Sequence, residues 1–185
     1  LETKRAGASL SRIDGEGAFE GYASLFGVAD LSRDVVAPGA FRDSLAARGP
    51  AGVKLLWQHD PGLPIGVWEE LVEDRRGLYV RGRLDLAVAK ARDVHALMKS
   101  GAVDGLSIGF RVERARKDAA TGLRRLEKID LWEISLVTFP MLPQARVSAV
   151  KTAAGDASDP AGARRLIRAI RRAATALRSP SRNAP

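Results

Sequence analysis

Cysteine is absent from this chain. That removes disulfides, zinc–thiolate sites and thiol nucleophiles together, and it fits a reducing compartment. Histidine is nearly absent, with two in 185 residues. No His pair stands at ligand spacing, so metal catalysis is not expected. Asp30 and Asp34 are the nearest thing to a divalent-ion pair, but loop aspartates more often form turns. Long apolar runs are missing too, and none approaches the roughly 18 residues needed to cross a bilayer. The opening Leu1-Glu2-Thr3-Lys4-Arg5 has no apolar region behind it, unlike a secretory signal. It also lacks an initiator Met, as expected of a trimmed or partial chain. No phosphate-cradling glycine loop exists: Gly77, Gly82, Gly101, Gly105 and Gly109 match neither P-loop nor dinucleotide spacing. No cofactor is therefore expected.

Acidic residues are missing from one stretch in particular. Residues 162–185 hold seven Arg and no Asp or Glu. The net charge is +8, from 30 Lys and Arg against 22 Asp and Glu. Without those seven Arg, 23 basic residues face 22 acidic ones, so the body stands at +1. A nucleic-acid-binding domain carries its charge on the body. Here the charge belongs to a tail. The ten aromatics show no alternating pattern on which bases would stack. A small nucleic-acid module with a basic tail is thus a rival reading that charge and aromatics both disfavour.

Hydrophobic residues make up 45% of the chain, enough for a globular core. Apolar alternation or compact apolar runs place strands over residues 19–26, 53–57, 65–72, 78–86, 106–112 and 123–138. A last short strand is expected over 145–150. Residues 27–37 read as a loop. Helices are expected over 38–47, with Pro38 in its first turn, and over 87–99, with Gly101 just past the end. Residues 118–122 carry a hairpin signal. The fold class is therefore α+β, mainly β. Residues 1–150 form the main domain, 151–161 read as a linker, and 162–185 as a basic amphipathic helix with a disordered end.

Three residues stand out for chemistry. His59 ends the strand at 53–57, where a base can be held firmly and still reach solvent. His95 lies in a helix and reads as a satisfied polar residue. Ser107 sits in Gly105-Leu106-Ser107-Ile108-Gly109, which fits G-x-S-x-G. The hydrolase elbow with that motif needs a strand-to-helix turn and a histidine after the serine. Here a strand continues past Ser107 and His59 precedes it, so the elbow reading fails. The plain alternative is a small residue between glycines where backbones approach closely. Glu133 is a carboxylate inside an apolar strand, which is costly unless paired. Pairing with the His59 ring would resolve that cost. Asp130 and Asp60 are its rivals, although Asp60 adjoins His59 and points to the opposite face.

Several blocks, in order, are similar to the caudoviral prohead maturation protease family. They are Gly21-Tyr22-Ala23-Ser24-Leu25-Phe26, Pro38-Gly39-Ala40-Phe41, Leu55-Leu56-Trp57-Gln58-His59-Asp60, Pro64-Ile65-Gly66 and Gly77-Leu78-Tyr79-Val80. Gly101 to Phe110 and Asp130 to Thr138 complete the series. The resemblance covers roughly residues 17–151. It implies an assemblin-like closed or partly closed β-barrel with a few surrounding helices. It also implies a serine endopeptidase with Ser107 as nucleophile, His59 as base and Glu133 as the third member. The implied substrates are the major capsid protein, the scaffold and the protease itself. The implied place is the immature capsid in a bacterial host's cytoplasm. A homo-oligomer is compatible with it, and the basic C-terminal helix would bind capsid or scaffold protein rather than membrane or nucleic acid. Pro140-Met141-Leu142-Pro143 departs from the family's usual Pro-Ala-Asn. A rival within the same resemblance is an inactive capsid-assembly or scaffold protein on this fold, against which His59, Ser107 and Glu133 stand together.

Overall fold

The computed structural model describes residues 13–148, and the expected linker and basic helix lie outside the described residues. Eight strands and two helices follow one another: β1 Ala18–Leu25, β2 Asp34–Val36, α1 Arg42–Gly52, β3 Lys54–Trp57, β4 Asp60–Glu73, β5 Gly77–Leu84, α2 Ala89–Ser100, β6 Gly105–Lys117, β7 Arg124–Val137 and β8 Val147–Ser148. All eight strands join one sheet in the order β2-β7-β3-β4-β5-β1-β8, with β6 on the other edge of β7. The sheet is a strongly curled half-barrel, the partly closed form of the expected barrel. None of the described helices is long and apolar enough to cross a membrane.

Side-chain period explains how the sheet closes on its core. Phe19, Leu78, Val80, Leu84, Leu106 and Leu131 are essentially sealed from solvent. On β5 the exposed Arg81 and Arg83 alternate with Val80 and Leu84, as a half-covered sheet requires. At residues 134–137 the burial is continuous rather than alternating. That stretch lies between β3 and β6, which pair with its two edges.

Three expectations need correction. The segment at 27–37 is not all loop, because β2 pairs in parallel with Arg124–Leu126 of β7. Three residues are too few for periodicity to reveal a strand; the ion pair between Asp34 and Arg124 helps hold it. The first helix starts at Arg42 rather than Pro38, because 38–41 form a turn that buries Phe41. It also runs to Gly52, past a break at Gly49, whose φ is 61°. Finally, β4 begins at Asp60, not residue 65, so the exposed Asp60-Pro61-Gly62 is strand despite its turn-like composition. The helix at 89–100 matches its expected place, with Gly101 in the left-handed region (φ 77°) closing it.

β7 organises everything near the three singled-out residues. One edge carries β3 in parallel, and the other carries β6 antiparallel. Leu106, Ile134 and Leu136 face the core. By alternation, Ser107, Gly109, Glu133 and Ser135 share the opposite face.

Candidate functional site

His59 sits in the two-residue turn joining β3 to β4, where Trp57 pairs with Asp60. Gln58 and His59 both have positive φ, 53° and 61°. This left-handed pair suits a tight hairpin, yet such turns favour Asn-Gly or similar. Each non-glycine residue held there costs about 1–2 kcal/mol. Three hydrogen bonds offset that cost. Gln58 N–H donates to the Leu136 carbonyl at 3.1 Å. The Gln58 side-chain amide donates to Thr138 Oγ1 at 2.9 Å. His59 N–H donates to Ser135 Oγ at 3.0 Å. All three acceptors belong to the end of β7 or the residue after it, so the turn is docked rather than free.

The His59 ring meets Glu133, with Nδ1 2.6 Å from Oε1. A carboxylate at that distance accepts a hydrogen bond from Nδ1–H, leaving Nε2 as the acceptor of the neutral ring. The Glu133 side chain is 13% exposed and the His59 side chain 44%, so the ring bridges a sheltered acid to solvent. The hydrogen bond to Glu133 raises the His59 pKa above its ordinary 6.5; burial works against this, and the charge of Glu133 adds to it. A histidine pKa raised by folding contributes stability below pH 6.5, and that contribution is lost as pH climbs through the raised value. Thermal unfolding against pH should therefore show a decline above 6.5 that disappears in His59→Gln.

Ser107 lies on β6 directly opposite Ser135. Facing residues in an antiparallel pair hold their Cβ atoms about 4.5–5.5 Å apart. Ser107 is thus one cross-strand step from the residue that anchors His59. Its own hydroxyl makes no side-chain hydrogen bond, to His59 or to any other described residue. Ser107 is buried, at 6% exposure.

The two glycines around Ser107 have steric roles. A Cβ on Gly109 would sit 1.9 Å from Glu133 Oε1. The carboxylate therefore occupies the space that a side chain would fill. A Cβ on Gly105 would come within 2.6 Å of the Val137 carbonyl and 2.8 Å of Pro140 Cδ. Gly105 thus fits the close-backbone reading, whereas Gly109 makes room for the Glu133 side chain.

The rival carboxylates are engaged elsewhere. Asp130 takes a two-pronged contact from Arg48 and a bond from Trp132 Nε1. Asp60 accepts the Gly62 N–H. Asp30 accepts two N–H groups of its own loop, from Ser32 and Asp34. His95 bonds the Asp14 carbonyl at 2.8 Å, the satisfied polar residue anticipated. Ser135 was missed by sequence reasoning. It is fully buried, and its hydroxyl donates to Glu133 Oε2 at 2.6 Å. A polar residue two positions after Glu133 on the same strand face, inside an apolar run, was the available signal.

Residues 7–159 match the family model described as Caudovirus prohead serine protease. The chain belongs to that family. Among prohead proteases, that of Enterobacteria phage HK97 is 40% identical over 142 residues, covering 76% of this chain and 63% of the relative. That of Escherichia phage T5 is 30% identical over 142 residues, covering 72% and 65%. The chain spans a little under two thirds of the length of these two prohead proteases. A capsid polyprotein of Pseudomonas phage PAJU2 is 28% identical over 129 residues, 66% of this chain and 18% of the relative. Among solved structures, the bacteriophage T4 capsid assembly protease superposes with a TM-score of 0.52 at 14% identity, covering 65% of this chain and 80% of the other. That likeness is one of fold. A KSHV protease structure gives 0.46 at 10% identity, covering 70% and 63%.

Proposed function

We propose that this prohead protease family member is a serine endopeptidase that trims capsid and scaffold proteins, and its own chain, inside the immature capsid. In this reading Ser107 Oγ attacks the peptide carbonyl. His59 Nε2 takes its proton and later gives it to the leaving amine. Glu133 holds the ring by Nδ1 and stabilises the imidazolium. An acyl-enzyme on Ser107 is then hydrolysed by water. The observation that carries the proposal is the 2.6 Å bond between His59 and Glu133. It leaves Nε2 free, on a ring that is held at one end and exposed at the other. The contact between Ser107 and His59 is of the kind that closes when substrate binds. Capsid substrates are supported by the names of the relatives, one of which carries this segment within a capsid polyprotein. The basic tail would recruit the enzyme by docking on a scaffold or capsid helix. An inactive assembly protein has no need of a strained histidine turn held to a carboxylate.

Labelling tests the reading. A fluorophosphonate, which phosphonylates activated serines, should modify the peptide containing Ser107 and no other. The label should vanish in His59→Ala, and trimming of the co-expressed capsid precursor should stop in the same variant. Labelling that survives Ser107→Ala would overturn the assignment. The pH dependence gives an independent check. A base must be neutral to act, so the acidic limb of kcat/KM should have its midpoint above 6.5, as the raised His59 pKa requires. The limb should move down in Glu133→Gln, which removes the first cause of that rise. A limb that stays in place in Glu133→Gln would dissociate Glu133 from the base.

A further inference from the structure

We propose that Ser135 is the positioning residue of this site, locking the Glu133 carboxylate and the His59 backbone to each other through one hydroxyl. The proposal rests on the reading above of Ser107, His59 and Glu133. Ser135 is fully buried in β7, between Ile134 and Leu136. Its single proton goes to Glu133 Oε2 at 2.6 Å. Its lone pair receives the His59 N–H at 3.0 Å. Glu133 Oε1 in turn meets His59 Nδ1 at 2.6 Å. The three bonds close a ring that passes through the histidine twice, once by backbone and once by imidazole.

That ring removes two freedoms at once. Rotation of the carboxylate about its last bond would break the Ser135 contact and the His59 contact together. The left-handed turn at Gln58 and His59 would otherwise relax, because neither residue favours it. The pairing of Ser107 with Ser135 then gives the nucleophile's strand the same reference point. Packing does not require a hydroxyl here, since an alanine would fill nearly the same volume and suit the apolar run. A buried hydroxyl costs free energy unless bonded, and the two bonds that satisfy this one run to the two residues of the acid–base pair.

The test compares Ser135→Ala with Ser135→Thr, which keeps the hydroxyl. Cleavage of a peptide spanning a mapped capsid site gives kcat and KM. NMR titration of the two histidines gives the His59 pKa without reference to activity. Misplacing a reacting group by about 1 Å costs on the order of 10²-fold in rate. Ser135→Ala should therefore lose about that factor in kcat with KM nearly unchanged. Its His59 pKa should fall back towards 6.5. Ser135→Thr should recover most of both. If Ser135→Ala keeps the wild-type kcat and His59 titration while Ser107→Ala is dead, the positioning role is wrong and the protease reading stands. If kcat and KM worsen in step and the His59 pKa stays put, the residue is structural only, which also overturns the proposal. Full activity in Ser107→Ala would instead remove the reading on which it rests.

Discussion

Ser107→Ala is expected to lower kcat for peptide cleavage by roughly 10⁶-fold, and His59→Ala by nearly as much. The double variant should be no slower than either. In the proposed mechanism nucleophile and base act as one unit, so removing the second part of a disabled unit costs little more. The size of the loss follows from what is removed. Without Ser107 no acyl-enzyme forms. Without His59 the hydroxyl must attack with its proton still attached, far below its pKa. The test is a three-variant cycle in a single-turnover assay on the capsid precursor. Losses that add as independent factors would mean that the two side chains do not work together. Stability should be unaffected in Ser107→Ala, because that hydroxyl is unbonded in the folded chain.

The second large effect is expected at a residue with no functional group. Gly109→Ala should cripple turnover about as far as Glu133→Gln, for which loss of the ring's partner costs on the order of 10⁴-fold. The new methyl would land 1.9 Å from Glu133 Oε1. To make room for that methyl the carboxylate must swing away and release His59 Nδ1. Glu133→Gln and Gly109→Ala therefore break one bond by two routes, one chemical and one steric. Combining them should cost little beyond either alone. In both, the His59 titration should shift down. If Gly109→Ala titrates and turns over like the parent, the carboxylate has another place from which to hold the ring, and the steric account fails.

Much of the site was legible in the chain because strand periodicity carries it. Alternation placed Ser107 on a strand and excluded the elbow. The cost of a lone carboxylate at Glu133 pointed to a partner, and the partner is His59. Asp60 was set aside on strand alternation, a premise that does not apply because His59 sits in a turn; its carboxylate accepts the Gly62 N–H. Other features were hidden because they depend on contacts between distant segments. Nothing local announces β2, whose three residues are ordered by Arg124 some ninety positions later. Asp60-Pro61-Gly62 reads as a turn by composition, yet the turn is Gln58-His59, a pair whose left-handed backbone no propensity would choose. Ser135 went unread because one of its two partners, the His59 N–H, arrives from the distant β3–β4 turn.

The parallel pairing of β3 with β7 has a consequence in time. His59 and Glu133 are 74 positions apart, and contacts of that separation form late because a long loop must first close. The hairpin bearing His59 is complete long before residue 133 leaves the ribosome. At that stage its left-handed turn has no Ser135, no Leu136 carbonyl and no Thr138 to brace it. In the proposed reading, a complete acid–base pair therefore waits for β7 to dock beside β3.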